Sequence, residues 1–439
     1  MQPADTLVIA AHVVPVEPAG AVLPDHAVAI RDGRIAALLP AQEALARFEP
    51  RRLVRLDRHV LLPGLVNLHC HAAMTLLRGL ADDLPLMSWL QDHIWPAEAK
   101  HVDDAFVHDG SLIAMAEMLR GGVTCVNDMY FFPEATARAA LRAGMRAALG
   151  MIAVEFPSAY APDAAGYLAK GLATRDAYRG EELLSFCLAP HAPYTVADET
   201  LRRIATLAEE IDAPIHTHVH ETREEIAQGL SQHGVRPLER LRRLGIVGPH
   251  LIAVHAVHLE EAEMDLLARE GASVAHCPSS NLKLASGIAP VARLREHGVT
   301  IGLGTDGAAS NDRLDVLTEM RTAALLAKGA SGDARALDAH TTLALATIEP
   351  ARALGLGERI GSIVPGKSAD LAAVELSALE TLPCYNPVSH LVYVAGREHV
   401  THVWVAGEPR LEDRCLVGLD EGDLRDKARW WQGRIRETP

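Results

Sequence analysis

Residues 58–71 read RHVLLPGLVNLHCH, and the last three, His69-Cys70-His71, decide how the rest of the chain is interpreted. The leucine-rich run predicts a buried strand. Side chains alternate along a strand, so His69 and His71 are expected on the same side. Two imidazoles aimed at one point supply half of a divalent-metal site. The same triplet also suits two polar residues at a strand end, so the remaining chain must supply further ligands.

The region from 58 to 361 alternates short apolar segments with helical ones. After the first strand come seven further strand candidates: GVTCVNDM, MRAALGMIAV, SFCLAPHA, PIHTHVHE, LIAVHAVHL, SVAHCPSSN and VTIGLGTDG. Helical patterns such as 104–121 and 198–212 lie between most of them. Eight strands in this order over about 300 residues predict an α/β fold, a (β/α)8 barrel. A doubly wound sheet is the alternative, but no G-x-G-x-x-G follows the first strand.

The two ends of the chain have a different character. Residues 1–57 and 362–420 hold short strands separated by turn residues, with Asp32-Gly33 as a hairpin signal. We therefore predict that the ends pair into one composite β-sandwich domain. Residues 421–439 predict a peripheral C-terminal helix.

Composition excludes several classes of function. The net charge of −15 argues against nucleic acid or an anionic membrane as the main partner, because both require a basic face. The six cysteines are scattered without a C-x-x-C pair, which favours reduced thiols. The N-terminus has no basic segment typical of a signal peptide. No apolar run approaches the ~20 residues that span a bilayer. We expect a cytoplasmic protein.

The other strand ends supply the missing ligands. In a barrel all carboxyl ends of the strands converge on one face. Strand five ends in HTHVHE and strand eight in GTDG, so four residues are expected to share one metal: His69, His71, His218 and Asp306. Three imidazoles and one carboxylate suit Zn²⁺, with Fe²⁺ or Mn²⁺ as alternatives. The Thr-Asp-Gly sequence also suits a turn, in which Asp306 would only cap a loop.

Two further side chains are candidates for catalysis. A bound metal lowers the pKa of a coordinated water to roughly 7, and an acid/base group must then move protons. Glu221 lies three residues beyond His218 and could reach over the metal. His255, at the end of strand six, could orient the water. His216 lies deeper in its strand and is expected to pack behind the ligands.

Several motifs in order resemble the amidohydrolase superfamily. They are PGLVNLHCH, HAPYT, HTHVHET, HCPSSNLKL, GTDGAASND and PGKSADLAAVE, and they cover nearly the whole chain. Within the superfamily, PLMSWLQDHIWPAEAK and MLRGGVTCVNDMYFFPE are similar to the 5′-methylthioadenosine/S-adenosylhomocysteine deaminases. The resemblance implies a distorted (β/α)8 barrel with a β-sandwich made from both chain ends.

The resemblance also implies roles for individual residues. His69, His71 and His218 match the histidine ligands, and Asp306 matches an aspartate that binds metal and handles a proton. Glu221 matches the acid/base glutamate that also contacts substrate, and His255 the histidine beside the attacking water. Glu98 matches a glutamate that holds the ribose hydroxyls, and His191 a histidine that contacts the nucleoside. Strand four ends in LAPHAPYT without the lysine of two-metal relatives, which implies one Zn²⁺ per subunit.

The sequence departs from the family at one point. Some members carry an arginine shortly after a G-M-R segment on strand three, whereas here Arg146 is followed by Gly150-Met151. How the 5′ substituent is held is therefore open. The residues and the resemblance together predict a zinc-dependent hydrolytic deaminase of a small 6-aminopurine nucleoside. The expected substrates are 5′-methylthioadenosine, S-adenosylhomocysteine or both, with adenosine as a further alternative, and the products are the inosine analogue and ammonia. The alternatives are a triazine hydrolase or a guanine or cytosine deaminase and, from another class, a non-catalytic nucleoside-binding protein. A homo-oligomer is among the open alternatives.

Overall fold

Eight parallel strands from the middle of the chain form a barrel, and eight strands from its two ends form a second sheet. The computed structural model describes residues 1–436. In chain order the strands are β1 (Gln2–Val13), β2 (Leu23–Arg31), β3 (Arg34–Pro40), β4 (Phe48–Pro63), β5 (Leu65–Cys70), β6 (Val123–Asp128), β7 (Arg146–Ala153), β8 (Leu184–Pro190), β9 (Ile215–Val219), β10 (Leu251–His255), β11 (Ser273–His276), β12 (Thr300–Leu303), β13 (Leu371–Glu375), β14 (Val400–Val405), β15 (Glu408–Glu412) and β16 (Cys415–Leu416).

Most of the helices follow barrel strands and cover the outside of the barrel. They are α1 (Ala41–Arg47), α2 (Leu86–Trp89), α3 (Trp95–His101), α4 (Asp104–Arg120), α5 (Pro133–Ala143), α6 (Ala164–Ala177), α7 (Asp198–Ile211), α8 (Arg223–His233), α9 (Pro237–Arg243), α10 (Glu261–Arg269), α11 (Pro278–Lys283), α12 (Val291–Glu296), α13 (Ala308–Asn311), α14 (Val316–Ser331), α15 (Ala339–Ala344), α16 (Ile348–Ala353), α17 (Pro387–Tyr393) and α18 (Glu421–Arg436). Short 3₁₀ turns span Ala72–Leu77, Leu379–Thr381 and Arg397–His399, and a π turn spans Leu90–Ile94.

The barrel strands are neighbours in their sequence order, from β5 to β12. Strands such as β5, β6 and β7 are buried along their whole length, as parallel strands covered on both faces must be. The predicted (β/α)8 fold is thus confirmed. The helices expected near 104–121 and 198–212 are present as α4 and α7.

The first and last barrel strands are joined just beyond their ends. The amide of Asp306 donates to the carbonyl of His69 at 3.0 Å. The Asn67 side chain holds Thr305 twice, accepting from its amide at 3.0 Å and donating to its hydroxyl at 2.8 Å. These bonds bring the carboxyl ends of β5 and β12 together.

One predicted strand proves to be two. The run from 59 to 69 was expected as a single barrel strand, but β4 ends at Pro63 in the second sheet and β5 begins at Leu65 in the barrel. Gly64 lies between them. A Cβ there would lie 2.1 Å from Thr124 Oγ1, so only glycine lets the chain pass this close to β6.

The second sheet has the order β16-β15-β14-β13-β4-β1-β2-β3 and joins both chain ends through antiparallel pairing of β13 with β4. Asp32-Gly33 forms the predicted hairpin between β2 and β3, with φ of 51° and 74°. A core that includes Val8, Val28 and Trp404 packs within this sheet. The division at 57/58, 361/362 and 420/421 stays a prediction.

Arg146 lies at the opposite end of the barrel from the candidate ligands, as the first residue of β7. Its guanidinium binds the Asp370 carboxylate at 3.0 and 3.2 Å and donates to Ser368 Oγ at 3.2 Å. Both charged side chains are buried, at 2% and 1% exposure. This ion pair joins the barrel to the second sheet just before β13.

The C-terminal helix α18 packs Trp431 against Phe106 of α4, at 5.2 Å between ring centroids. The predicted helix extended to 439, and residues 437–439 lie outside the described part of the chain. Within residues 1–436, no helix combines the length and apolar character that crossing a membrane demands.

Candidate active site

Three imidazoles and one carboxylate meet at the carboxyl end of the barrel. His69 lies in β5, His71 just after it, His218 in β9 and Asp306 after β12. Asp306 Oδ1 lies 3.2 Å from His69 Nε2 and 3.3 Å from His71 Nε2, and His218 Nε2 lies 3.3 Å from His69 Nε2. Residues separated by most of the chain thus share one point, as the barrel topology required.

Each of these histidines uses its outer ring nitrogen for another partner. His69 Nδ1 bonds His216 Nε2 at 2.9 Å, His71 Nδ1 bonds the Met129 carbonyl at 2.6 Å, and His218 Nδ1 bonds the His191 carbonyl at 2.7 Å. The Nε2 atoms consequently face one another. Burial lowers the pKa of His69 to about 4, so its ring is neutral. Imidazoles whose other nitrogen is held in this way are the usual ligands of a zinc ion.

Asp306 is held by its surroundings on all sides. It adopts a left-handed backbone, with φ of 62°, and its Oδ1 accepts from the amide of Gly307 at 2.8 Å. Its Oδ2 accepts from Ser280 Oγ at 2.6 Å and Ser310 Oγ at 2.8 Å. The flanking Gly304 leaves no space for a side chain, because a Cβ there would lie 2.8 Å from His69 Cβ. The glycine-rich sequence therefore reflects close packing against the histidine ligands.

Glu221 lies beside this cluster on the loop after β9. Its Oε2 is 3.7 Å from His255 Nε2, and its Oε1 accepts from Ser286 Oγ at 3.2 Å. Burial raises the pKa of Glu221, which favours a carboxyl group that carries a proton. His255 Nδ1 bonds Asn281 Oδ1 at 2.8 Å. Glu221 and His255 thus face the centre from one side.

The loop that carries Glu221 is fixed by a second buried carboxyl group. Glu225 accepts from the amides of His220 and Glu221, both at 2.8 Å. His220 has a φ of 56°, a conformation that a non-glycine residue adopts only when held. Burial raises the pKa of Glu225 to about 7. Glu225 stabilises the turn that directs Glu221 toward the centre.

A cavity opens over the cluster and is lined mainly by apolar side chains. Besides the cluster residues, its wall includes Met74, Leu86, Trp89, Leu90, Ile94, Trp95, Ile152, Val154 and Phe156. Glu98 and His191 also line it, together with Tyr130 and Tyr194. Tyr130 donates to Glu98 Oε1 at 2.6 Å, and burial raises the pKa of Glu98 to about 6. Burial lowers the pKa of His191 to about 3, so this imidazole is neutral.

The structure thus brings together every residue that the sequence singled out for the site. Sequence reasoning missed the side chains that hold them, namely Tyr130, Glu225, Ser280, Asn281 and Ser310. Ser280 and Asn281 belong to the quoted HCPSSNLKL motif, which was a usable signal. Tyr130 likewise belongs to the quoted MLRGGVTCVNDMYFFPE stretch and Ser310 to GTDGAASND. Glu225 carries no such signal, because only the fold brings it to Glu221. Arg146, by contrast, lies at the far end of the barrel and does not line the cavity.

Known proteins share both the sequence pattern and the fold. The model of the amidohydrolase family matches residues 60–410. The structure of an adenosine deaminase from Xanthomonas campestris with bound zinc is 52% identical, covers 100% of both chains and superposes with a TM-score of 0.98. Atrazine chlorohydrolase from Arthrobacter aurescens, at 22% identity over 97% of this chain and 100% of its own, has a TM-score of 0.91 and shows the fold alone.

The fold and the clustered ligands thus define a metal-dependent amidohydrolase. A relative from Saccharophagus degradans, named 5-methylthioadenosine/S-adenosylhomocysteine deaminase, is 48% identical over 99% of this chain and 97% of its own. A second so named, from Teredinibacter turnerae, is 46% identical over 97% and 96%. The chain belongs to the amidohydrolase family and, within it, to the group of the 5-methylthioadenosine/S-adenosylhomocysteine deaminases.

Proposed function

We propose that this chain is a zinc-dependent hydrolytic deaminase of 6-aminopurine nucleosides that carry a 5′-thioether, converting them to the inosine analogue and ammonia. The observation that carries the proposal is the convergence of three inward-facing imidazoles, Asp306 and Glu221 beside a cavity that contains Glu98. The names of the relatives and the zinc of the 52% identical structure support it.

One zinc ion would be held by His69, His71, His218 and Asp306. Their donor atoms fit this ion, since the imidazoles are fixed from behind and one carboxylate oxygen faces them. The metal supplies Lewis-acid activation of the water that attacks the purine. Fe²⁺ or Mn²⁺ could bind the same donors, with lower intrinsic affinity than Zn²⁺. One ion per subunit is proposed because the end of β8 offers His191 where two-metal relatives have a bridging lysine.

The remaining chemistry is proton transfer by the chain's own side chains. Glu221, whose pKa is raised by burial, donates its proton to N1 of the purine, which makes C6 a better acceptor. Water adds to C6, and Asp306 accepts its proton while His255 stabilises the developing charge. The C6–N bond then breaks. Asp306 returns its proton to the amine, which leaves as ammonia. The C6 hydroxyl gives its proton back to Glu221, and its oxygen stays on the ring as the 6-oxo group.

Recognition of the nucleoside falls to the wall of the cavity. Tyr130 donates to Glu98 Oε1. Within residues 1–436 no hydrogen bond to the other carboxylate oxygen is found, so this oxygen can accept from the ribose hydroxyls. Without a diol, this second carboxylate oxygen would stay buried under the ligand without a donor, which penalises a free base. His191 lines the same cavity with a neutral ring and would contact the nucleoside.

A recess of about 570 Å³ begins at Glu98 and leads away from the cluster. Its wall is aromatic and apolar, with Trp95, Phe131, Phe132, Phe156 and Tyr160 among the lining residues. Of the residues described around it, none in the lining is lysine or arginine. A 5′-methylthio group fits such a wall, whereas the charged homocysteine tail would lose hydration without gaining an ion pair. We infer a preference for 5′-methylthioadenosine.

An ammonia-release assay tests the proposal with 5′-methylthioadenosine, S-adenosylhomocysteine, adenosine, guanine and a triazine. We expect kcat/KM to be highest for 5′-methylthioadenosine, with S-adenosylhomocysteine at least tenfold lower. A wide margin for guanine or the triazine would overturn the proposal. The zinc-loaded protein without turnover on any of the five would instead support a binding protein. The oligomeric state and the cytoplasmic location stay predictions.

A further inference from the structure

The short helix α11 follows β11 in the chain, and its side chains contact His255 and Asp306 of the candidate site. Its residues Ser280 and Asn281 are 0% and 1% exposed. Neither lines the main cavity, but each contacts a side chain that does, Asp306 and His255 respectively. The start of the helix is fixed to α14, because the amide of Ser279 donates to Glu319 Oε2 at 3.1 Å. Glu319 also accepts from Asn311 at 2.9 Å. The helix is therefore attached to the outer layer of the barrel.

Asn281 holds the imidazole of His255. With Asn281 Oδ1 2.8 Å from Nδ1, this nitrogen carries the proton and donates it. The other ring nitrogen, Nε2, then faces Glu221, whose Oε2 lies 3.7 Å away. His255 ends its strand with a φ of 70°, so regular strand geometry does not set the direction of its ring. The amide of Asn281 selects both the tautomer and the orientation.

The neighbouring residue holds the other proton-handling group. Ser280 Oγ donates to Asp306 Oδ2 at 2.6 Å, and Ser310 of α13 donates to the same oxygen at 2.8 Å. Oδ2 therefore accepts two hydrogen bonds, and Oδ1 faces His69 and His71. Two adjacent residues of one helix thus hold two groups that come from different strands.

We propose that α11 is the element that sets the catalytic geometry, with Asn281 positioning His255 and Ser280, together with Ser310, positioning Asp306. None of the three takes part in bond making. The inference rests on the proposed function, because it assigns what these residues do for the deamination. It extends that function to Ser280 and Asn281, which do not line the main cavity.

Variants at Asn281 test the first half of the proposal. Asn281→Leu keeps the volume but removes the acceptor, and we expect kcat for 5′-methylthioadenosine to fall about 100-fold with KM within threefold of wild type. Asn281→Asp keeps the acceptor oxygen, and we expect it to recover at least a tenth of the wild-type kcat. If Asn281→Leu does not fold, Asn281→Ala removes the acceptor without adding bulk. Equal losses in the Asp and Leu or Ala variants would overturn the proposal.

A double-mutant cycle tests the second half. In Ser280→Ala or Ser310→Ala, one hydroxyl still satisfies Asp306 Oδ2, so we expect about a fivefold loss of zinc affinity, measured by chelator competition. In the double variant the fold-loss of zinc affinity should exceed the product of the two single fold-losses. The loss of kcat should show the same excess. Ser111→Ala is the matched control, since Ser111 is equally buried on α4 and contacts Thr136. Additive losses, or losses as large in the control, would show a purely structural role.

Melting temperatures of the zinc-free variants separate positioning from packing. We expect changes of similar size in Ser280→Ala and Ser111→Ala, with the difference confined to zinc affinity and kcat. A wild-type enzyme without deaminase activity would contradict the proposed function. An active wild type with unaffected Asn281 and Ser280 variants would contradict only the role of α11.

Discussion

The two ends of the barrel bury charged groups in opposite ways. At the amino end Arg146 and Asp370 neutralise each other within hydrogen-bonding distance. At the carboxyl end the described hydrogen bonds of Glu98, Glu225 and Glu319 come from a phenol, backbone amides and a side-chain amide rather than from cations. The pKa of Glu98 is raised to about 6 and that of Glu319 to about 7 by burial. The amino end thus pairs its buried charges with each other, whereas the carboxyl end holds buried acids whose pKa values are raised and whose described donors are neutral.

The largest effect is expected at the carboxyl end, from Glu221→Gln. Glutamine keeps the shape but cannot donate the proton to the purine, so kcat should fall about 10³-fold, within the range that a general acid supplies. Zinc content, measured by atomic absorption, should stay at the wild-type level. Stability should also be unchanged or slightly higher, because a buried acid is removed. Wild-type turnover would remove Glu221 from its role and weaken the contrast between the two ends.

At the amino end the largest effect should be on folding. Arg146→Met leaves Asp370 buried without its counter-ion, which costs about 3–5 kcal/mol in the free energy of unfolding. Urea unfolding of the zinc-free protein measures this loss. The folded fraction should keep its kcat, since Arg146 does not line the cavity. Adding Asp370→Asn should recover part of the stability, and a reduced kcat in the folded enzyme would show that the two ends are coupled.

Glu98→Gln should act on recognition rather than on chemistry. The amide still accepts from Tyr130 but binds the ribose diol less strongly, so KM for 5′-methylthioadenosine should rise about 10–100-fold with kcat changed much less. The 2′-deoxy analogue provides the control, because its KM should differ less between the two proteins. Equal increases for both substrates would show that Glu98 does not hold the diol.

The smallest effect concerns how stability depends on pH. The pKa of Glu319 is about 7 in the folded chain and near 4.5 when unfolded, so the folded state holds the proton more tightly. The contribution of Glu319 to the free energy of unfolding is therefore most favourable below pH 4.5, and it is lost as the pH rises toward and through 7. Glu319→Gln removes this loss. Between pH 5 and 8 the stability of the zinc-free variant should gain roughly 1–3 kcal/mol on wild type by urea unfolding. A pH-independent difference would contradict the assignment.

The sequence predicted the carboxyl end better than the details between the two sheets. Histidines and acids at strand ends are visible in a sequence, and a parallel barrel has only one place where those ends meet. The break at Gly64 was missed because a leucine-rich run has the same appearance in one strand or in two. The role of Arg146 was equally invisible, because its partner Asp370 lies on the far side of the inserted barrel.

The positioning residues mark the limit of such prediction. Ser280 and Asn281 have no distinctive chemistry, and their importance comes from one helix that happens to lie under two strand ends. The role of Glu225 similarly depends on the turn at His220, and the left-handed conformation of His220 cannot be predicted from its residue type. A sequence shows which groups can react, and the fold shows which neutral groups orient them.

The seam between β5 and β12 joins two parts of the chain that are synthesised far apart in time. Asn67 and Thr305 are 238 residues apart in the chain, yet their side chains join the first and last barrel strands right behind the candidate ligands. A nascent chain that has not yet emerged past Asp306 holds at most three of the four donors and an open seam. The four candidate ligands and the closed barrel therefore depend on the same segment around Asp306, and an ion bound by these residues would connect the first and last barrel strands.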